Sequence, residues 1–161
     1  MIETSNLICS CLSNSVISQS LTTVMTIEKY SFFKAYNFTK LEMPFGNFYL
    51  CDKFCISELN EGIHFEWENI VEVFDKIQNF YGEGGKFAYI SNRINHYSID
   101  PSNWTKIEQS NFYPFASAIV IYNNSSYMNA SIEKKFTNIS IKRCMSLKQA
   151  IDWVENLKEF N

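Results

Sequence analysis

The sequence predicts a single α/β domain, with a mixed, mostly parallel sheet opened by an antiparallel hairpin and covered by about four helices. Three observations carry this. Short apolar strands alternate with helix-period segments through most of the chain. The run "FASAIVIYN" at residues 115–123 is almost wholly apolar, as a strand buried on both faces of a parallel sheet must be. The segments ahead of the first helix break at short turns, as antiparallel strands do.

Residues 36–42 alternate loosely and stop at Pro44. Residues 47–51 and 54–59 flank Asp52-Lys53, which predicts a two-residue hairpin turn. The period then changes. Trp67, Ile70, Val71, Phe74, Ile77 and Tyr81 follow the stripe of an amphipathic helix. Glu66 and Glu68 stand near its start, where the helix dipole favours negative charge. Gly82, Gly84 and Gly85 end it, and they lack the Lys-Ser/Thr that a phosphate loop carries.

The stretch "KFAYI", residues 86–90, predicts a short strand, and a polar loop follows. Asp100 predicts an N-cap, with Pro101 at the first helical position. After the apolar run, Asn124-Ser125 is expected to cap a helix whose apolar side is Met128, Ile132 and Phe136. "ISIKR" predicts another strand. Ser146 and Gln149 form a capping-box pair for the final helix. Its apolar face is Leu147, Ala150, Ile151, Val154 and Leu157, and Trp153 is expected to bury against the sheet or the first helix.

Residues 1–25 are rich in Ser, Thr and Asn and predict a flexible extension to a domain at residues 26–161. No Lys or Arg precedes Lys29, so the basic start of a secretory signal is missing and a cytoplasmic setting is expected. No apolar run reaches the length of a membrane span. The net charge of −3, with its basic residues scattered, argues against a nucleic-acid partner. Five cysteines fit no disulfide framework, and with only His64 and His96 available no metal site is expected. No cofactor motif occurs.

The loop after "KFAYI" carries the candidate site. In open α/β sheets ligands gather beyond the carboxyl ends of parallel strands. Ser91, Asn92, Arg93, Asn95, His96 and Tyr97 fall there and are the candidate ligand- or partner-binding residues. Arg93 can fork onto a carboxylate or phosphate, and Tyr97 offers an amphipathic ring. The alternative is that these side chains tie the loop to the sheet. His96 lies near Ser91, Ser98 and Asp100, yet no Gly-x-Ser-x-Gly elbow is present, so no catalytic residues are assigned and an enzyme using His96 is only a third reading. Glu58 and Glu61 read as surface residues.

The element order, the "AIVIY" strand and the closing "SLKQAIDWV" resemble the STAS-like proteins, and more closely their SpoIIAA-like branch, the bacterial STAS/SEC14 group. Ser146, Leu147, Ala150, Trp153 and Val154 match that branch's closing-helix pattern. "PFGNFYL", "ISELNEGIHFEWE" and "AYISNRINHYSIDPSNW" are similar to an uncharacterised Bacteroidetes-type subgroup. The resemblance runs from residue 32 to the C-terminus. It implies a non-enzymatic regulatory or protein-interaction module with an unidentified protein partner. In the family's anti-sigma-factor antagonists an Asp-Ser-Ser/Thr-Gly stretch carries a regulatory phosphoserine. The equivalent place here is Ser91-Asn92-Arg93-Ile94, where Ser91 fills the serine slot and the Asp and Gly are absent. The relatives named SEC14 bind lipids, which implies a second expectation, a carrier of a small apolar ligand. Phe32, Phe33, Phe45, Phe48, Phe54 and Phe65 would then line a cavity; otherwise they pack the core. Residues 31–34 are a candidate homodimer surface.

Overall fold

The computed structural model describes residues 24–160, so nearly all of the expected N-terminal extension lies outside the described residues. β1 (Thr39–Met43), β2 (Gly46–Leu50) and β3 (Phe54–Leu59) form an antiparallel meander. The expected turn at Asp52-Lys53 is closed by Cys51 N–H donating to the Phe54 carbonyl at 2.9 Å. Gly46 has a steric reason to be glycine, because a Cβ there would stand 2.6 Å from the Glu58 carbonyl oxygen of β3.

A two-residue strand β4 (His64–Phe65) leads into α1 (Trp67–Tyr81). Then come β5 (Ala88–Asn92), the short β6 (Ser98–Ile99), α2 (Asn103–Gln109), β7 (Ala116–Val120), α3 (Asn124–Glu133), β8 (Ser140–Cys144) and α4 (Leu147–Glu155). The main sheet has six strands in the order β1-β2-β3-β5-β7-β8, parallel from β3 onward. This is the mixed, mostly parallel α/β sheet the sequence predicts. β4 and β6 pair parallel to each other beside it, a ladder too short to leave a sequence signal.

Because each parallel strand lies next to its predecessor, right-handed crossovers place their helices on one face. Ile70, Val73 and Ile77 of α1, Trp104 and Ile107 of α2 and Ala130 of α3 pack there with Phe48, Cys55, Ile119 and Ile141 of the sheet. The opposite face is covered by α4 and by two 3-10 turns, Ile27–Lys29 and Ser31–Ala35. Ile27, Phe33, Leu147 and Ile151 meet Tyr49, Ile56, Ile90 and Ala118 on that side. Each fully buried aliphatic or aromatic side chain contributes roughly 1.5–3 kcal/mol. α1 ends at Gly82, whose φ of 80° suits glycine, with its N–H donating to the Gln78 carbonyl at 2.7 Å.

Several expectations need correction. In α1 the buried ridge is Ile70, Val73 and Ile77, and Val71 is 42% exposed. α2 begins at Asn103, not Pro101. Asp100 Oδ1 accepts from Ser102 N–H at 2.9 Å and its carbonyl accepts from Asn103, which forms a turn ahead of the helix. α3 is capped by Asn123, whose Oδ1 accepts from Ser126 N–H at 2.8 Å. The drawn face of α3 is inverted: Ser126, Ala130 and Glu133 are buried, whereas Met128 and Ile132 are 59% and 43% exposed. In α4 Ser146 Oγ accepts from Gln149 N–H as expected, but Gln149 Oε1 accepts from Met145 N–H. Trp153 is half-buried on the face opposite α1, with Lys142 Nζ 5.4 Å from its ring centre.

Cys51, Cys55 and Cys144 are buried free thiols, and burial pushes Cys51 up to about 12, so it stays protonated and inert. Cys9 and Cys11 lie outside the described residues. No cluster of three His, Cys, Asp or Glu that could hold a metal occurs among the described residues. No helix among them is long and apolar enough to cross a membrane.

Candidate functional site

Successive side chains of a strand point to opposite faces, and this alternation divides the candidate loop at its root. Ser91 and Arg93 go to the face of α2 and α3; Asn92 goes to the face of the N-terminal turns.

On the helix face, Arg93 Nη2 donates to Glu133 Oε2 at 2.8 Å and lies equally close to Oε1. The geometry makes a hydrogen bond to Oε2 only; Oε1 is held by charge and has no donor aimed at it among the described residues. Trp104 Nε1 donates to the same Oε2 at 2.8 Å. Arg93 Nε reaches Ser91 Oγ at 3.4 Å, Ser91 Oγ and Tyr97 OH share a hydrogen bond of 2.9 Å, and the guanidinium lies 5.5 Å from the Tyr97 ring centre. Glu133 is 1% exposed and Arg93 8%, so a paired charge sits inside the protein. Above it is a cleft of about 160 Å³ between the Tyr97–Pro101 rim and α3, with Ile99 and Ile132 as apolar walls.

On the other face, Glu58 Oε1 accepts from Ile27 N–H at 2.6 Å and from Asn92 Nδ2 at 2.7 Å. Asn92 Oδ1 accepts from Tyr122 OH at 2.8 Å. Glu58 is 4% exposed, which corrects its reading as a surface residue. Burial pushes its carboxyl above the ordinary value, against the lowering effect of the Asn92 and Ile27 donors. The network pins the first 3-10 turn over the ends of β3, β5 and β7.

The rest of the loop is stapled to the β3–α1 connection. Asn95 Nδ2 donates to the Leu59 carbonyl at 2.8 Å, His96 N–H donates to Glu61 Oε2 at 2.7 Å, and Gly62 N–H donates to the His96 carbonyl at 2.6 Å. Ser98 Oγ pairs with His64 Nδ1 at 2.7 Å. The His96 side chain is exposed, and no hydrogen bond joins it to Ser91, Ser98 or Asp100 among the described residues.

The six candidate residues therefore do not converge. Ser91, Arg93 and Tyr97 form one cluster, Asn92 belongs to another, and Asn95 and His96 hold the loop. Ser91 is 3% exposed at a strand end, not at a helix N-terminus, so its hydroxyl lacks the placement that an added phosphate needs. The sequence reading missed Glu58, Trp104 and Glu133. Glu133 stands beside Lys134-Lys135 in the sequence, and nothing local marks it as Arg93's partner forty residues away. No protein-family model matches the chain, and no curated protein or solved structure is significantly similar to it.

Proposed function

We propose that this chain is a non-enzymatic regulatory or protein-interaction module of STAS-like type, acting in the cytoplasm, with α3 and the Tyr97–Pro101 rim as its docking face. The observation that carries this is the orientation of α3. The helix turns Glu133 inward to meet Arg93 and leaves Tyr127, Met128 and Ile132 at 43%, 59% and 43% exposure. A contiguous exposed apolar surface is the usual mark of a protein contact. Ile132 joins that surface to the cleft beside Ile99, where a partner's side chain can seat.

The carrier reading has weaker support. Phe33, Phe45, Phe48, Phe54 and Phe65 are packed in the core, and none of them lines the cleft beside Ile99. The enzyme reading also lacks support, since the exposed His96 imidazole is joined to none of Ser91, Ser98 and Asp100 among the described residues.

The test is site-specific photo-crosslinking in cells, with the reactive group at Met128, at Ile132, or at exposed Glu72 on α1 as control. A discrete protein adduct from the first two positions, absent from the third and lost on Ile99→Asp, is expected. Native mass spectrometry showing a retained small molecule with no adduct at Met128 or Ile132 overturns the proposal.

A further inference from the structure

The same face carries a charge asymmetry that narrows the partner's chemistry. The protein is net negative, yet residues 122–147 contain Lys134, Lys135, Lys142 and Arg143 and a single acid, Glu133. That acid is buried on Arg93 and offers nothing to the surface. Of the carboxylates facing this region from neighbouring elements, one keeps its charge on neutral donors and the other is paired with a lysine. Glu108 of α2 accepts from Thr137 and Asn138, and Asp152 of α4 holds Lys148 at 2.7 Å. The α3–β8 surface is thus locally cationic and interleaved with exposed apolar groups.

β8 is also the last strand of the sheet, and among the described residues no strand pairs with its outer side. An unpaired edge is a template for an added strand. Its two cations stand on opposite faces. Lys142 lies over Trp153 on the α4 side, while Arg143 donates to Ser131 Oγ at 2.6 Å and lies 4.3 Å from the Tyr127 ring on the α3 side. Alternating side chains of an added strand would find a cation on either face. The same charges disfavour a second copy of β8, because two identical cationic edges repel.

Resting on the interaction reading above, we infer that the partner contributes an extended acidic segment that pairs with the free edge of β8 and lays its carboxylates against Lys142 and Arg143. A nucleic acid or an anionic lipid surface also seeks cations, but neither supplies the backbone donors and acceptors that an open edge lacks. The carboxylates give salt-sensitive attraction and the backbone ladder gives register.

The experiment titrates the full chain with a short peptide carrying two adjacent glutamates between valines, so that one carboxylate falls on each face of the added strand, followed by backbone amide shifts of residues 140–144. Parallel titrations use a lysine–valine peptide, the glutamate peptide N-methylated at alternate amides, a single-stranded oligonucleotide, and phosphatidylserine vesicles. Binding of the glutamate peptide alone is expected, weakening with salt. Lys142→Glu with Arg143→Glu should weaken it roughly tenfold or more, since two exposed ion pairs are each worth up to about fivefold. Lys142→Glu alone, which leaves the Ser131 and Tyr127 contacts of Arg143 intact, covers the case in which the double variant does not fold. Equal binding of the lysine or N-methylated peptide, or tighter binding of oligonucleotide or vesicle, overturns the inference. Crosslinks at Met128 that persist alongside such a result would leave the interaction reading standing and reject only the acidic strand.

Discussion

Arg93 at the end of β5 and Glu133 in the last turn of α3 are held 2.8 Å apart inside the protein, and Trp104 of α2 donates to the same carboxylate. Two consecutive crossover connections, β5–α2–β7 and β7–α3–β8, are thereby tied at one point. The pair also fixes how α3 rotates, because a buried carboxylate must face its counter-charge whatever happens to the helix's apolar residues.

Removing one partner strands the other charge. Arg93→Ala is expected to cost about 3–5 kcal/mol. His96→Ala is expected to stay within about 0.5 kcal/mol, since that loop contact is made by backbone groups. Urea denaturation of the two variants side by side decides this, and similar losses would show that the ion pair does not hold the fold.

Glu58 gives a pH signature of defined sign. Its carboxyl is raised in the folded protein, so its stabilising contribution is complete below the unfolded value near 4.5 and is lost as pH rises through the folded value. Glu58→Gln keeps an acceptor for Ile27 N–H and removes the titration. The melting temperature of that variant relative to the native chain is expected to climb with pH above about 4.5. A difference that falls across the same range contradicts the assignment.

Trp153→Ala is expected to cost about 1–2 kcal/mol, less than a fully buried aromatic, because the ring is only half-buried beside Lys142. Ile151→Ala, at 1% exposure on the same helix, should cost about 2–5 kcal/mol. The order of the two chemical midpoints is the measurement, and a reversal would mean α4 packs on its other side.

Met128→Lys tests the rotation of α3. If the helix faces as described, the variant melts within a degree or two of the native chain, because a substitution at 59% exposure changes stability by no more than about 0.5 kcal/mol. A drop typical of a core charge would restore the face expected from the apolar residues alone.

The sequence made the main elements legible because their signals are local. The Asp52-Lys53 turn, the glycine stop after Tyr81, the unbroken apolar run of β7 and the Ser146 cap each depend on neighbouring residues. The candidate site was legible only as a place. Ser91, Asn92 and Arg93 were found at a parallel strand's end, but their division between two faces follows from the pleat. Their partners Glu58, Tyr122 and Glu133 lie thirty or more residues away. α3 misled for the same reason. Counting apolar residues favours Met128 and Ile132 for the interior, and only the distant Arg93 reverses that choice. β4 and β6 pair over two residues each, too few for alternation to register.

The strand order has a consequence for assembly at the ribosome. From β3 onward each strand of the main sheet docks beside the main-sheet strand made before it, with a helix in the connection between them. Synthesis can therefore add the main sheet one strand–helix unit at a time, while the two residues of β4 wait for β6. The face beneath is different. Ile27 needs Glu58, and Ala116 and Ala118 of β7 stay uncovered until α4, at the far end of the chain, arrives to pack on them. That side should be the last to gain protection. Pulse-labelled hydrogen exchange during refolding would then show amides of α1 and α2 closing ahead of those of residues 27–35 and α4, and the opposite order would rule out stepwise growth.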